Sequence, residues 1–164
     1  MKARQHLEAI FEADRKAASS ERALLENKKS DALVETLVNA VDEAMSQQEP
    51  DEAVMRVRRL SDLCAQVEGP RMADAIIRML DHDNPAARVA AGEALRDVAY
   101  DRYAEVARAI ERRLESGLDG LALEEIPWVL AEVGEPSAGP LIADFLGHAQ
   151  VDVVAAAIEA LVEL

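Results

Sequence analysis

The chain has 164 residues and a formal charge of −14, and half of its residues are apolar although only five are Phe, Trp or Tyr. That is one or at most two ordinary domains, too apolar for a disordered tail. Charge of this sign repels phosphate backbones and anionic headgroups, so neither nucleic acid nor a membrane is an expected partner. No apolar run resembles a signal peptide or a membrane span, and the single cysteine cannot form an internal disulfide, so the expected home is a reducing cytoplasm.

The apolar half is mostly Ala, Leu, Val and Ile, with seven Gly and six Pro, which predicts closely packed helices and an all-α fold. Residues 1–30 stand apart. They hold all four lysines, carry a net charge of about +2 by count, and show a broken apolar stripe at Leu7, Ile10, Phe11, Leu24 and Leu25. This segment is expected to be an N-terminal capping helix, or else a partner-binding arm. Ser30 and Asp31 then supply a cap and an early negative charge for a helix whose apolar residues recur at three and four: Leu33, Val34, Leu37, Val38, Val41 and Met45. Glu49 before Pro50 opens the next helix, and Asn84 before Pro85 opens a later one with a strong cap and a proline where its missing N–H costs nothing.

A repeat organises the rest. Shifting the chain by 66 places Val67-Glu-Gly-Pro70 over Val133-Gly-Glu-Pro136 and Ala90-Ala-Gly-Glu-Ala-Leu95 over Ala156-Ala-Ile-Glu-Ala-Leu161, and ten of 29 positions are identical. Two weaker copies, one around Ile110, Leu114 and Leu130 and one around Val41, Met45 and Leu60, give four copies of 31 to 35 residues, each an A helix and a B helix. The boundaries fall near 31–66, 67–100, 101–133 and 134–164. The register predicts at least eight helices, with Ile76, Leu80, Leu95, Ile110, Leu114, Leu130, Ile142, Leu146 and Leu161 buried. It also leaves the apolar register of the last B helix open at Leu164, so that either more chain follows or this end packs on another molecule.

Residues Leu80-Asp81-His82-Asp83-Asn84-Pro85-Ala86-Ala87-Arg88-Val89-Ala90-Ala91-Gly92-Glu93-Ala94-Leu95 resemble the HEAT-like repeat of bacterial proteins: Leu, an acidic turn, Pro, Val-Arg, paired Ala and a terminal Ala-Leu. The last copy matches fairly, with Val153-Val154 in place of Val-Arg, and the other two keep mainly the apolar skeleton. The resemblance covers roughly 31–164. It implies a short right-handed α-solenoid of about four hairpins, with B helices lining a concave surface.

Residues suited to chemistry are sparse. His82 and His148 occupy equivalent positions two copies apart, too far for shared metal ligation, and suit hydrogen bonding to helix ends. HEAT-like iron hydroxylases use His-Glu dyads, whereas His6, His82 and His148 are followed by Leu7, Asp83 and Ala149. Cys64 aligns with Ala99 and Gly134, a position for small packing residues. No catalytic, cofactor or metal residue is therefore assigned.

What remains is surface. Positions two before and two after each B-helix core leucine lie about 160° from it and share one face. The pairs are Arg58 with Asp62, Glu93 with Asp97, Trp128 with Glu132, and Glu159 with Glu163, acidic at every later member. After Arg113 there is no Lys or Arg, while ten Asp or Glu follow. Trp128, the chain's only Trp, replaces the Glu of two other copies, although Pro127 is expected to disturb its helix. The expected function is a non-enzymatic scaffold whose acidic concave face receives a basic or amphipathic segment of another protein. The alternatives are a HEAT-like enzyme or chromophore handler, in the manner of metal hydroxylases or bilin lyases, and an architectural solenoid self-associating through its C-terminal end.

Overall fold

A computed structural model describes residues 2–164. The described residues form nine α-helices and no strand: α1 (Lys2–Leu24), α2 (Asp31–Met45), α3 (Pro50–Ala65), α4 (Pro70–Met79), α5 (Pro85–Asp101), α6 (Tyr103–Ser116), α7 (Ala122–Val133), α8 (Ala138–Asp144) and α9 (Val151–Glu163). Short 3-10 turns follow α1 at Leu25–Asn27 and α8 at Phe145–Gly147.

The helix starts follow local chemistry. Ser30 Oγ accepts from the Leu33 N–H, Glu49 accepts from the Asp51 and Glu52 N–H groups, and Asn84 Oδ1 accepts from Ala86 and Ala87. Each satisfies donors that the first helical turn leaves without partners. Pro50, Pro70 and Pro85 occupy first-turn positions, where φ is already helical. Gly69 at φ 126° and Gly117 at φ 69° sit at the edges of α4 and α6, conformations that other residues adopt only under strain.

Helix α3 packs on α5, α5 on α7 and α7 on α9, while α2 packs on α4 and α4 on α6. Small residues line the first row: Ala53, Ser61 and Cys64 on α3, Ala87, Ala91 and Ala94 on α5, and Ala156, Ala157 and Ala160 on α9 are all buried. The bulk of the core is supplied by Leu37, Met72, Ile76, Met79, Leu80, Leu95, Ile110, Leu123, Ile126, Leu130, Ile142 and Phe145, all fully enclosed.

Three expected core positions differ. Leu146 is exposed, because α8 lasts only seven residues and then tightens into the 3-10 turn; the larger rotation per residue turns Phe145 inward in its place. Leu114 lies at the frayed end of α6, and Leu161 faces the side of α9 against which no further helix packs, so both are only half-buried. Helix α1 buries none of its residues; the first side chain to enter the core is Leu25, in the turn that follows. Along most of its length α1 therefore lies outside the core, with only its last turns against α3.

His82 is buried and tied at both nitrogens, with Nε2 3.0 Å from Ala44 O at the end of α2 and Nδ1 accepting the Asn84 N–H at 3.0 Å. His148 repeats the second bond with Gln150 and places Nε2 3.2 Å from Asp119. Both serve helix ends and turns, as their spacing implied.

Two stability predictions follow from this packing. Leu95→Ala removes a fully enclosed side chain and should cost about 2–5 kcal/mol in urea unfolding, whereas Glu93→Ala, on the opposite exposed face, should change stability by less than about 0.5 kcal/mol. Gly92 lies inside α5, and a methyl group there would meet nothing closer than Leu80 Cδ2 at 3.7 Å. Gly92→Ala should therefore raise stability by about 0.5–1 kcal/mol by restricting the unfolded chain.

Candidate functional site

All eight residues of the expected face, Arg58, Asp62, Glu93, Asp97, Trp128, Glu132, Glu159 and Glu163, are exposed. They do not form an even row of free carboxylates. Glu132 is held by Arg96 at 2.6 Å, an ion pair between α7 and α5, and its backbone carbonyl accepts the Tyr100 hydroxyl at 3.1 Å. Asp97 and Glu93 lie near enough to Arg96 to strengthen the hold on its proton, after the stronger effects of its bond to Glu132. The centre of the face is thus a cluster spanning α5 and α7: Glu93, Arg96, Asp97 and Tyr100 on one helix, Trp128 and Glu132 on the other.

Trp128 sits one turn before Glu132 on the same face and is 37 % exposed, and Tyr100, on α5, is more open still. Pro127 does not turn the indole inward. Its missing N–H forfeits one bond of the helix, yet α7 continues unbroken through it, with Pro127 buried and Trp128 outward.

Asp62 stands at the other end. The last turns of α1 lie over it, forming a cleft of about 190 Å³ lined by Ala17, Ser20, Glu21, Leu24, Arg59, Asp62 and Leu63, closed by a hydrogen bond from Gln66 to Glu21. Partial burial and then the nearby Glu21 raise the Asp62 carboxyl above its usual range, outweighing Arg59 and Arg58, and Asp97 adds to the rise. Asp62 and Asp97 therefore feel each other across α3 and α5. Arg58 acts on Asp62 only through its charge, and Glu159 and Glu163 join none of these contacts.

Arg96 and Tyr100 were not among the expected residues. The charge spacing held a signal for the first: Arg71 with Glu35 and Arg78 with Asp42 are ion pairs between α4 and α2, and both have the separation of 36 seen for Arg96 and Glu132. On that opposite side, Arg112 also binds Asp74, and Arg113 grips both oxygens of Asp81. Asp81 in turn accepts the Ala122 N–H at 2.9 Å, capping α7 from a distance. The arginines of α4 and α6 thus pair with acids there, and on the B helices Arg56, Arg88 and Arg96 do the same.

Nucleophilic chemistry has little footing. Burial pushes the Cys64 thiol up to about 12, so the thiolate is scarce at neutral pH. Among the described residues, no three His, Cys, Asp or Glu side chains converge as metal ligands would, and no helix is long and apolar enough to cross a membrane.

The raised Asp62 carboxyl gives a pH dependence of definite sign. A folded-state pKa above the unfolded value means that the folded chain takes up the proton first, so this group's contribution to stability grows as pH falls through the window just above the ordinary carboxylate range. Asp62→Asn should therefore leave stability unchanged at low pH and increase it at neutral pH, flattening the dependence of melting temperature on pH. A loss of stability at neutral pH would mean that attraction to Arg58 and Arg59 dominates.

Comparison with known family models, curated proteins and solved structures finds no match to this chain.

Proposed function

We propose that the chain is a non-enzymatic protein-interaction module: a short right-handed α-solenoid of about four HEAT-like hairpins whose B-helix face binds a basic or amphipathic segment of another protein. The observation that carries this reading is the exposed Trp128 on the same face of α7 as Glu132, which Arg96 ties to α5 among the carboxylates Glu93 and Asp97. An exposed indole within a charged surround supplies a large contact area at low entropic cost, which is how binding anchors are built. The Arg96–Glu132 pair stiffens the ground on which the anchor stands. The α3, α5, α7 and α9 row supports the solenoid, since each of these helices packs on the one two places further along the chain. A single buried, unpaired thiol fits a reducing cytoplasm.

Trp128 is the only Trp, so its own emission reports what covers it. Titration with a synthetic Lys/Leu amphipathic helix lacking aromatic residues should shift that emission to the blue, with affinity falling as salt rises, because exposed charges are screened beyond about 8–10 Å at physiological ionic strength. Glu93→Lys with Asp97→Lys should slow association more than it speeds dissociation. These two are the clean test, because Glu132 already answers to Arg96 within the fold. Trp128→Ala, followed by calorimetry, should cost about 2 kcal/mol or more of binding with little change in melting. Binding indifferent to salt, to the charge reversal and to Trp128 would move recognition to another face.

A further inference from the structure

The two ends of the molecule carry exposed apolar stripes. On α9, Val151 (79 % exposed), Ile158 (51 %) and Val162 (78 %) stand open, with Ala155 between them, at spacings of four, three and four. That is the geometry of a helix seam, and the opposite side of α9, Val153, Ala156, Ala157 and Ala160, is the one that packs on its neighbours. On α1, Ala3, Leu7, Ile10 and Phe11 form a second seam, also exposed, before Asp14 interrupts it.

The charges beside the seams are opposite. At about 100° per residue, Asp152, Glu159 and Glu163 all fall roughly a quarter-turn to one side of the α9 stripe, and Arg4 and Arg15 fall a quarter-turn to the same side of the α1 stripe. Two helices whose charged edges share a hand bring those edges together only when they pack antiparallel. Arg4 and Arg15 are eleven residues apart, as are Asp152 and Glu163, so an antiparallel α1 sets Arg4 against Glu163 and Arg15 against Asp152, with Glu8 and Glu159 opposed between them, while Leu7, Ile10 and Phe11 meet Ile158 and Val162. The same rule disfavours antiparallel pairing of α9 with its own copy, which would oppose acids along the whole edge.

We infer that α9 is a docking surface for α1 of a second copy of this chain, giving head-to-tail association. A molecule's own α1 is held at the other end by its contacts with α3 and the Leu25 turn. The present partners of the two arginines, Glu8 and Glu12, are neighbours on the exposed helix surface, and such pairs exchange readily. The contact is heterologous, so each copy keeps one free α1 and one free α9, and growth continues until a ring closes or a filament extends. It is also short, about 20 Å of helix, below the size of standard interfaces, and therefore weak.

Sedimentation velocity of the 164-residue chain at increasing concentration, up to about 1 mM, tests this. Mass should pass beyond a dimer, and added salt should reduce it. Phe11→Glu and Val162→Glu each alter an exposed side chain, so both variants should keep their helical dichroism, and each alone should weaken self-association at least about tenfold. Their equimolar mixture should form a heterodimer that goes no further, because one intact α1 and one intact α9 remain. Reversing Arg4 and Arg15 to Glu should abolish association, and a partner carrying Asp152→Lys and Glu163→Lys should restore it. Trp128→Ala should leave all of this unchanged, which separates this surface from the acidic and aromatic face. A wild-type chain that stays monomeric throughout, or a Phe11→Glu variant that still dimerises with itself through α9, would overturn the inference.

Discussion

The close approach of α3, α5, α7 and α9 is the constraint on which the other features rest. Helices come this near only where their facing side chains are small, and Ala53, Ala87, Ala91, Ala94, Ala157 and Ala160 provide that. Alanines bury little area each, so the apolar stabilisation comes from the enclosed Leu, Ile, Met and Phe side chains between the two rows of helices. The small residues supply proximity instead, and proximity lets side chains on one B helix reach the next. Without it Arg96 would not meet Glu132, nor Tyr100 the Glu132 carbonyl.

Charge is sorted by the same arrangement. Arg71, Arg78, Arg112 and Arg113 project from α4 and α6 towards acids on the preceding helix of their own row or on the turn below. The arginines of α4 and α6 are thus engaged on the side away from the B-helix face, while Arg56, Arg88 and Arg96 pair among the B helices. Exposed pairs of this kind contribute little stability individually, but they decide where the surplus of a chain at −14 is left. Asp81 is the exception in strength, because it is partly enclosed, gripped by both nitrogens of Arg113 and joined to the start of α7. Arg113 in turn donates to the carbonyls of Leu118 and Asp119, and His148 reaches the Asp119 carboxylate, so side chains tie down the Gly117–Gly120 turn.

Much of the helical layout was legible in the sequence because it is written in local rules. Ser30, Glu49 and Asn84 are capping residues by type and position, and the four-residue spacing of Leu33, Leu37 and Val41 identifies the enclosed side of α2. Phe145 was hidden because a 3-10 turn changes the rotation per residue, and nothing in Phe145-Leu-Gly147 announces the change. The outward aspect of Trp128 was open for a related reason, since a proline five residues into a helix is compatible with either a break or a continuation. Arg96 and Tyr100 escaped notice because their importance lies between helices. An ion pair that crosses from one hairpin to the next is visible only as a recurrent separation of opposite charges, a weaker signal than an apolar stripe. How the face is used belongs to a partner's chemistry, of which the chain's own residues hold just the complement.

Helix α1 buries no side chain, so its helicity rests on local terms alone: six alanines, the Glu12–Arg15 pair and its length of 23 residues. Over its first four turns its backbone hydrogen bonds are open to water, whereas those of α5 lie against α3, α4 and α7. Amide protons in α1 therefore exchange through local fraying, while those in α5 must wait for opening of the whole fold, and the two ends of that scale lie within one small chain. Anything that seats α1 converts a fluctuating segment into a protected one and must offset the entropy of ordering it, which makes the arm a sensitive reporter of its own occupancy.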